Sequence, residues 1–315
     1  MFLEHVHPLR VSRSDLSVRH IDTLVLAMDD GPMTETRNMT LVLGGTGKTG
    51  ARVASKLTGL GLPVRTAARH GADVRFDWDD PATHRDAVQG ADRVYLIAPV
   101  MRARFAPQVS AFLDLAAAVG VRHVTCLSAY GIDLAPGDVA LRAVELDLMG
   151  RSALTHSIVR PAWFMQNFSE TFLMPVDGAI VVPTGNGGEA FVDAEDIAAV
   201  VAATLADPEG HAGAEYAPTG PGILTVSEAA DIIGDVTGRP VRHVDIDRRA
   251  WVDGVIASGV PAEYGEILQI LTETIASGRG SRPNGDVEKV TGAPPANFTD
   301  FARRTAAAWT GDQAP

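Results

Sequence analysis

The chain has very little cysteine and very little lysine: one thiol, Cys126, and three ammonium groups, Lys48, Lys56 and Lys289. A single thiol excludes an internal disulfide and any metal cage built from several cysteines, and it fits a reducing compartment. With so few lysines and the arginines scattered, no basic cluster offsets a formal net charge of -12. A surface of that sign repels nucleic-acid backbones. Long apolar runs are missing too. Ile21 to Met28 is interrupted at Thr23, is followed by Asp29 and Asp30, and is too short to span a bilayer. The expected setting is cytoplasmic, with neither membrane nor nucleic acid as partner. His5 and His7 stand without further ligands, so no metal is expected there.

What is present is globular material: 315 residues, 46% hydrophobic, enough for about two domains and a sizeable core. Residues 1–38 show no clear period and end in the polar run DDGPMTETRN. They read as a disordered or mis-assigned extension outside the fold, with Met33 and Met39 as candidate starts. From Met39 onward, short apolar β-branched runs alternate with helical stretches, the βαβ signature of a parallel sheet. Expected strands are Thr40–Leu43, Pro63–Ala67, Val74–Phe76, Arg93–Ala98, His123–Ser128 and Ser157–Arg160. Expected helices between them are Lys48–Leu60, Pro81–Val88, Arg104–Val119 and Val139–Arg151. This is an α/β, Rossmann-type doubly wound sheet over residues 39–160. After Pro161 the rhythm breaks into an aromatic segment, Gly/Pro-rich turns and helical runs at Asp193–Ala206, Ser227–Thr237 and Arg248–Ser258. Residues 161–315 read as a smaller, mostly helical cap, partly interleaved with the sheet.

The segment LVLGGTGKTG, Leu41 to Gly50, admits two phosphate-binding readings. A triphosphate P-loop needs a glycine five positions before Gly47, where the chain has Val42 inside the first strand, so that spacing fails. The dinucleotide turn fits: Gly44 closes the strand, Gly47 admits a pyrophosphate and Gly50 lets the following helix pack closely. That helix aims free N–H groups and its positive end at the phosphates. At the end of the next strand, an NAD-binding chain usually offers a carboxylate to the ribose 2′-hydroxyl. Here it offers Arg69-His70. A guanidinium suits the 2′-phosphate of NADP(H), whereas a solvated strand end is the competing reading of Arg69.

The stretches FDWDDPATHRDAV (Phe76 to Val88), YLIAP (Tyr95 to Pro99) and RPAWFMQNF (Arg160 to Phe168), together with GGTGKTG, resemble the NmrA-like group of atypical short-chain dehydrogenase/reductases. Within that group they are similar to the ergot-alkaloid branch of festuclavine dehydrogenases and, more distantly, to type-2 quinone reductases. The resemblance covers nearly everything after Met39. It implies NADP(H) as cofactor, with Gly44, Thr46, Gly47, Lys48, Thr49 and Gly50 at the pyrophosphate and Arg69 at the 2′-phosphate. It also implies Asp77 near the adenine, Ala98 and Pro99 along the adenosine ribose, and Ser128 with Pro161 to Phe164 flanking the nicotinamide.

Ordinary members of the superfamily use a Tyr-x-x-x-Lys pair to exchange a proton with a carbonyl. Here Tyr95, Tyr130, Tyr216 and Tyr264 have Pro99, Leu134, Gly220 and Leu268 at the fourth position onward. Glu145 and Asp147, on the helix after the fifth strand, cannot replace the lysine, because a carboxylate raises a phenol's pKa. A chain without that pair can still reduce an iminium ion, which needs hydride alone, or a quinone, which can draw protons from water. Ser128 and Tyr130 are the local hydroxyls, with Tyr130 the better placed for a substrate hydrogen bond; Trp163, Phe164 and Met165 form an expected aromatic wall for a small aromatic or unsaturated substrate. The expected activity is an NADPH-dependent reductase, as a monomer or homodimer. The competing reading is a non-catalytic NADP(H)-sensing regulator that binds a protein partner, and a sugar epimerase ranks third.

Overall fold

The computed structural model describes residues 39–310, so the expected N-terminal extension and His5 and His7 lie outside the described residues. Six strands follow the sequence pattern closely: β1 Thr40–Leu43, β2 Val64–Ala68, β3 Val74–Arg75, β4 Arg93–Ile97, β5 His123–Leu127 and β6 Thr155–Val159. Between them run α1 Gly50–Gly59, α2 Ala82–Val88, α3 Ala106–Ala118 and α4 Ala140–Met149. Helix α1 starts two residues later than the sequence suggests, because Thr46 to Thr49 complete the turn. After β6 come α5 Asn167–Glu170, β7 Ala179–Val181, β8 Gly188–Glu189, α6 Ala194–Ala206 and β9 Ala214–Tyr216. The remainder comprises β10 Leu224–Thr225, α7 Val226–Thr237, β11 Arg242–Val244, α8 Arg248–Ala257, α9 Ala262–Ala276, α10 Asp286–Thr291, α11 Phe298–Thr305 and α12 Ala307–Thr310.

The main sheet runs β3-β2-β1-β4-β5-β6-β9, with every pair parallel. Strand order reverses between β1 and β4, which opens a crevice beyond the carboxyl ends of those strands. Period-two alternation assigns the two faces. Leu41, Leu43, Val94, Leu96, Val124 and Cys126 pack with Phe112 and Leu113 of α3 and Val144 and Leu148 of α4. Val42, Tyr95 and Val159 face Val53 and Leu57 of α1 and Ile197 to Leu205 of α6. A third cluster, around Phe168, Phe191, Val226, Ile233, Trp251 and Phe301, holds the C-terminal part together. That part is not only helical. It donates the seventh strand, β9, to the main sheet, and β7, β8, β10 and β11 form two small sheets of their own.

His123, at the start of β5, is 1% exposed, with ring nitrogens 2.9 Å from Thr155 Oγ1 and 3.3 Å from Thr125 Oγ1. Burial, helped by Arg93, His156 and His211, pushes its pKa down from 6.5 to about 4. A base whose folded pKa lies below its unfolded value contributes its full stability above the unfolded pKa. That contribution is lost as pH falls from 6.5 through 4. We expect this one group to remove on the order of 3 kcal/mol across the window. Melting curves of wild type and His123→Gln should therefore converge as pH falls; parallel curves from pH 7 to pH 4 would contradict it.

Candidate active site

At the reversal of strand order, the glycine turn joins β1 to α1. Gly44 takes φ +60°, a left-handed conformation that favours glycine, and the turn closes tightly, with Gly47 N–H donating to Gly44 O at 2.8 Å. Gly50 is required for a different reason. A Cβ built there would lie 2.1 Å from Gly44 O and 2.7 Å from Gly44 C, so only glycine lets α1 approach the turn. Thr46 and Gly47 are exposed. Thr49 is the N-cap residue of α1 but makes no side-chain cap. Its hydroxyl instead accepts from Tyr95 Oη at 3.1 Å. The start of α1 thus lacks the usual side-chain acceptor, which suits an anion bound from outside.

Two neighbouring loops lie against the glycine turn. Gly44 abuts Ile97 at the end of β4, immediately before Ala98 and Pro99: a Cβ on it would sit 3.2 Å from Ile97 Cδ1. A Cβ on Gly71 would sit 3.7 Å from Thr46 Cγ2, so the Arg69–Gly71 loop lies against the turn. Arg69 is exposed and forms no hydrogen bond or ion pair among the described residues. Asp77 is half-buried, and its Oδ1 accepts from Asp79 N–H at 3.1 Å in a local turn. These residues fit a nicotinamide dinucleotide: a glycine cradle, an uncapped helix start and a free guanidinium at the end of β2.

On the other side of the crevice, the backbones following β5 and β6 are stitched together. Ser128 N–H donates to Val159 O at 2.7 Å, and Tyr130 N–H to Pro161 O at 3.0 Å. This brings Ser128, Tyr130 and Pro161 into one place. Tyr130 is 39% exposed. Ser128 Oγ has no exposed surface and no hydrogen bond of good geometry; it lies beside the carboxylate of Glu145. Glu145 is fully buried and locked by Arg160 (2.7 and 3.0 Å) and Arg142 (2.7 Å). Burial works against its ionisation, but hydrogen bonds, chiefly from Arg160, outweigh it and hold the carboxyl below its usual range. Glu145 is therefore a structural anion bracing β6 through Arg160.

The expected aromatic wall does not include Met165. Met165 is 1% exposed and belongs to the C-terminal core, because Met165 N–H bonds Val192 O at 2.8 Å and turns the side chain inward. Phe164 is half-buried, packed against the face of the sheet that carries α1 and α6. Trp163 is half-buried and meets Phe172 edge to face at 5.6 Å. The residues that stand out towards solvent were not picked from the sequence: Phe172 (39% exposed) and Met174 after α5, and Val100 and Met101 after β4. Met101 takes φ 57° without being glycine, a strain that concentrates at functional loops. No spacing rule selects such positions, since exposure is decided by the turns around them.

Lys48 is the other surprise. Its ammonium is turned to α5, donating to Thr171 Oγ1 at 3.0 Å and Asn167 Oδ1 at 3.4 Å. Burial lowers its pKa, with Glu170 opposing and Arg52 adding to the effect. Arg52 is committed too, donating to Lys48 O (2.6 Å), Glu195 (3.0 Å) and Glu170 (3.4 Å).

Residues 44–208 match the NAD(P)H-binding family, and residues 145–299 the NmrA-like family. An uncharacterized oxidoreductase, YesF, of Bacillus subtilis is 35% identical over 87% of this chain and 97% of its own. Festuclavine dehydrogenase of Aspergillus fumigatus is 31% identical over 85% of this chain and 98% of its own. Among solved structures, an NADPH-dependent quinone oxidoreductase of Escherichia coli, complexed with NADPH, superposes with a TM-score of 0.71 at 20% identity. That match covers 84% of this chain and 99% of the other.

Proposed function

Because the chain belongs to the NmrA-like group of NAD(P)H-binding oxidoreductases, we propose that it is an NADPH-dependent reductase of small, flat, unsaturated acceptors. Cyclic iminium ions, quinones and conjugated carbonyls are the candidate classes. The observation that carries this reading is the contrast across the crevice. An uncapped helix start and a free Arg69 line one side, while Tyr130, Phe172 and Met174 stand exposed on the loops after β5 and β6. Apolar side chains kept in water beside a dinucleotide cradle suit a planar ligand.

The bound nicotinamide would supply hydride. The chain's own residues contribute binding, orientation and shielding, and the proton inventory limits the rest. Tyr95 is fully buried and its phenol pushed up in pKa by that burial. Cys126 is buried and its thiol pushed up to about 12, so it is not a nucleophile. Glu145 is held by its two arginines. Of the two hydroxyls expected beside the nicotinamide, Tyr130 is the exposed one, and Ser128, with its buried Oγ, supports the turn that presents it. With no lysine at the fourth position to activate it, Tyr130 orients the acceptor, and proximity lowers the barrier.

Tyr130→Phe and Ser128→Ala should each keep kcat within about fivefold of wild type, since a true general acid contributes roughly a hundredfold or more. A hundredfold loss in Tyr130→Phe would overturn the reading and point to acid-assisted carbonyl reduction.

A further inference from the structure

The glycine turn carries a cation whose ammonium is held by α5 and the residue that follows it. Lys48 Nζ sits between Thr171 Oγ1 and Asn167 Oδ1, and those two atoms are themselves 3.2 Å apart. The three polar groups close a small ring across the crevice. Arg52, from the first turn of α1, reaches Glu170 in the same stretch. Thr171 precedes Phe172, whose ring meets Trp163 at 5.6 Å and Trp251 at 6.3 Å. Behind α5, Trp309 Nε1 donates to Phe168 O at 2.7 Å, so the rear of the segment is anchored in the core. Its front edge is held by the glycine turn.

We propose that the Lys48 side chain is a positioning residue for the acceptor side of the crevice: it fixes Thr171, and through it Phe172, relative to the turn, while only its backbone N–H serves the dinucleotide. This inference rests on the reductase reading for its kinetic consequence, and on geometry alone for its structural one. An ammonium held by two uncharged oxygens is well suited to the task. It orients the segment through charge-assisted hydrogen bonds, while the nearby Glu170 carboxylate is paired with Arg52. Glu170 and Arg52 are the charged groups facing it, and Arg52 bonds Glu170.

The test uses Lys48→Met, Thr171→Val and the double variant of the full chain. Calorimetric titration should give an NADPH Kd within about twofold of wild type for all three. The acceptor KM should rise roughly five- to twentyfold in each single variant with kcat little changed, the scale of one lost charge-assisted hydrogen bond. The double variant should be no worse than either single, because both remove one interaction. Backbone amides of residues 167–173 should exchange faster in ligand-free Lys48→Met, and Lys48→Arg should restore most of the protection. A tenfold or greater loss of NADPH affinity, unchanged exchange and additive effects would assign the ammonium to the phosphates and overturn the proposal. If the wild type reduces no acceptor, the reductase reading fails, while exchange and calorimetry still decide the role of Lys48.

Discussion

Replacing Gly50 with alanine should weaken NADPH binding by at least a hundredfold and lower the melting temperature as well. The added Cβ meets three backbone atoms, Gly44 O at 2.1 Å, Gly44 C at 2.7 Å and Gly45 Cα at 3.1 Å. Backbone has no rotamer to escape into, so the helix and turn must separate. Separation displaces the backbone N–H groups at the start of α1 from the proposed phosphate position, and positioning errors of about 1 Å are costly at such sites. Gly59, at the far end of the same helix, is the control. Nothing lies within 4 Å of a Cβ there, so Gly59→Ala should leave binding unchanged. Calorimetry on both variants reads the contrast, and a Gly50→Ala protein that binds NADPH like wild type would remove the glycine turn from the site.

Arg69→Asp should shift the NADPH-to-NADH preference by roughly a hundred- to a thousandfold. The reasoning adds two effects of the same sign. Wild type offers an exposed guanidinium that forms no hydrogen bond or ion pair among the described residues, with Asp79 acting on it only electrostatically, and a charge-assisted pair with the 2′-phosphate would contribute roughly 1.5–3 kcal/mol. The variant removes that pair and places a carboxylate where the phosphate would be, while offering NADH an acceptor for its ribose 2′-hydroxyl. The ratio of kcat/KM for the two cofactors measures the shift. Unchanged discrimination would make Arg69 a solvated strand end.

Much of the sheet was legible because its strands are short apolar runs between strong punctuators. Thr40–Leu43 is followed at once by Gly44 and Gly45, and Asp193 reads as a helix start and is one, accepting from Glu195 N–H at 2.9 Å. Strand β9 was not legible. Ala214–Tyr216 has three residues and no alternation to detect, and only its pairing with β6 makes it a strand. Helix α9, Ala262–Ala276, the longest helix among the described residues, is equally hard to read from the sequence. Its exposed face carries Ile270, 65% exposed, which blurs the period a core-facing helix normally shows.

The candidate site divides the same way. The glycine spacing and the arginine after β2 are local patterns, so the residues proposed for the dinucleotide can be picked out along the chain. The proposed acceptor side depends on contacts between residues far apart in sequence, and Lys48 with Thr171 is the clearest case, 123 positions apart. Glu189 shows the same limit. It is buried at 2% exposure, and its carboxylate receives Ser281 N–H at 2.9 Å and Trp163 N–H at 3.3 Å, bracing the aromatic segment from behind. Burial raises its pKa despite these donors. Nothing in the run GNGGEAF announces that role.

The most direct test of the reductase account is NADPH consumption, followed at the nicotinamide absorbance, with purified protein and a panel of quinones, cyclic imines and enones. The account predicts turnover on at least one flat, unsaturated member of the panel, faster with NADPH than with NADH. Tight NADPH binding by calorimetry on the same sample, with no acceptor consumed, would contradict it and favour a sensor that reports NADP(H) to a protein partner.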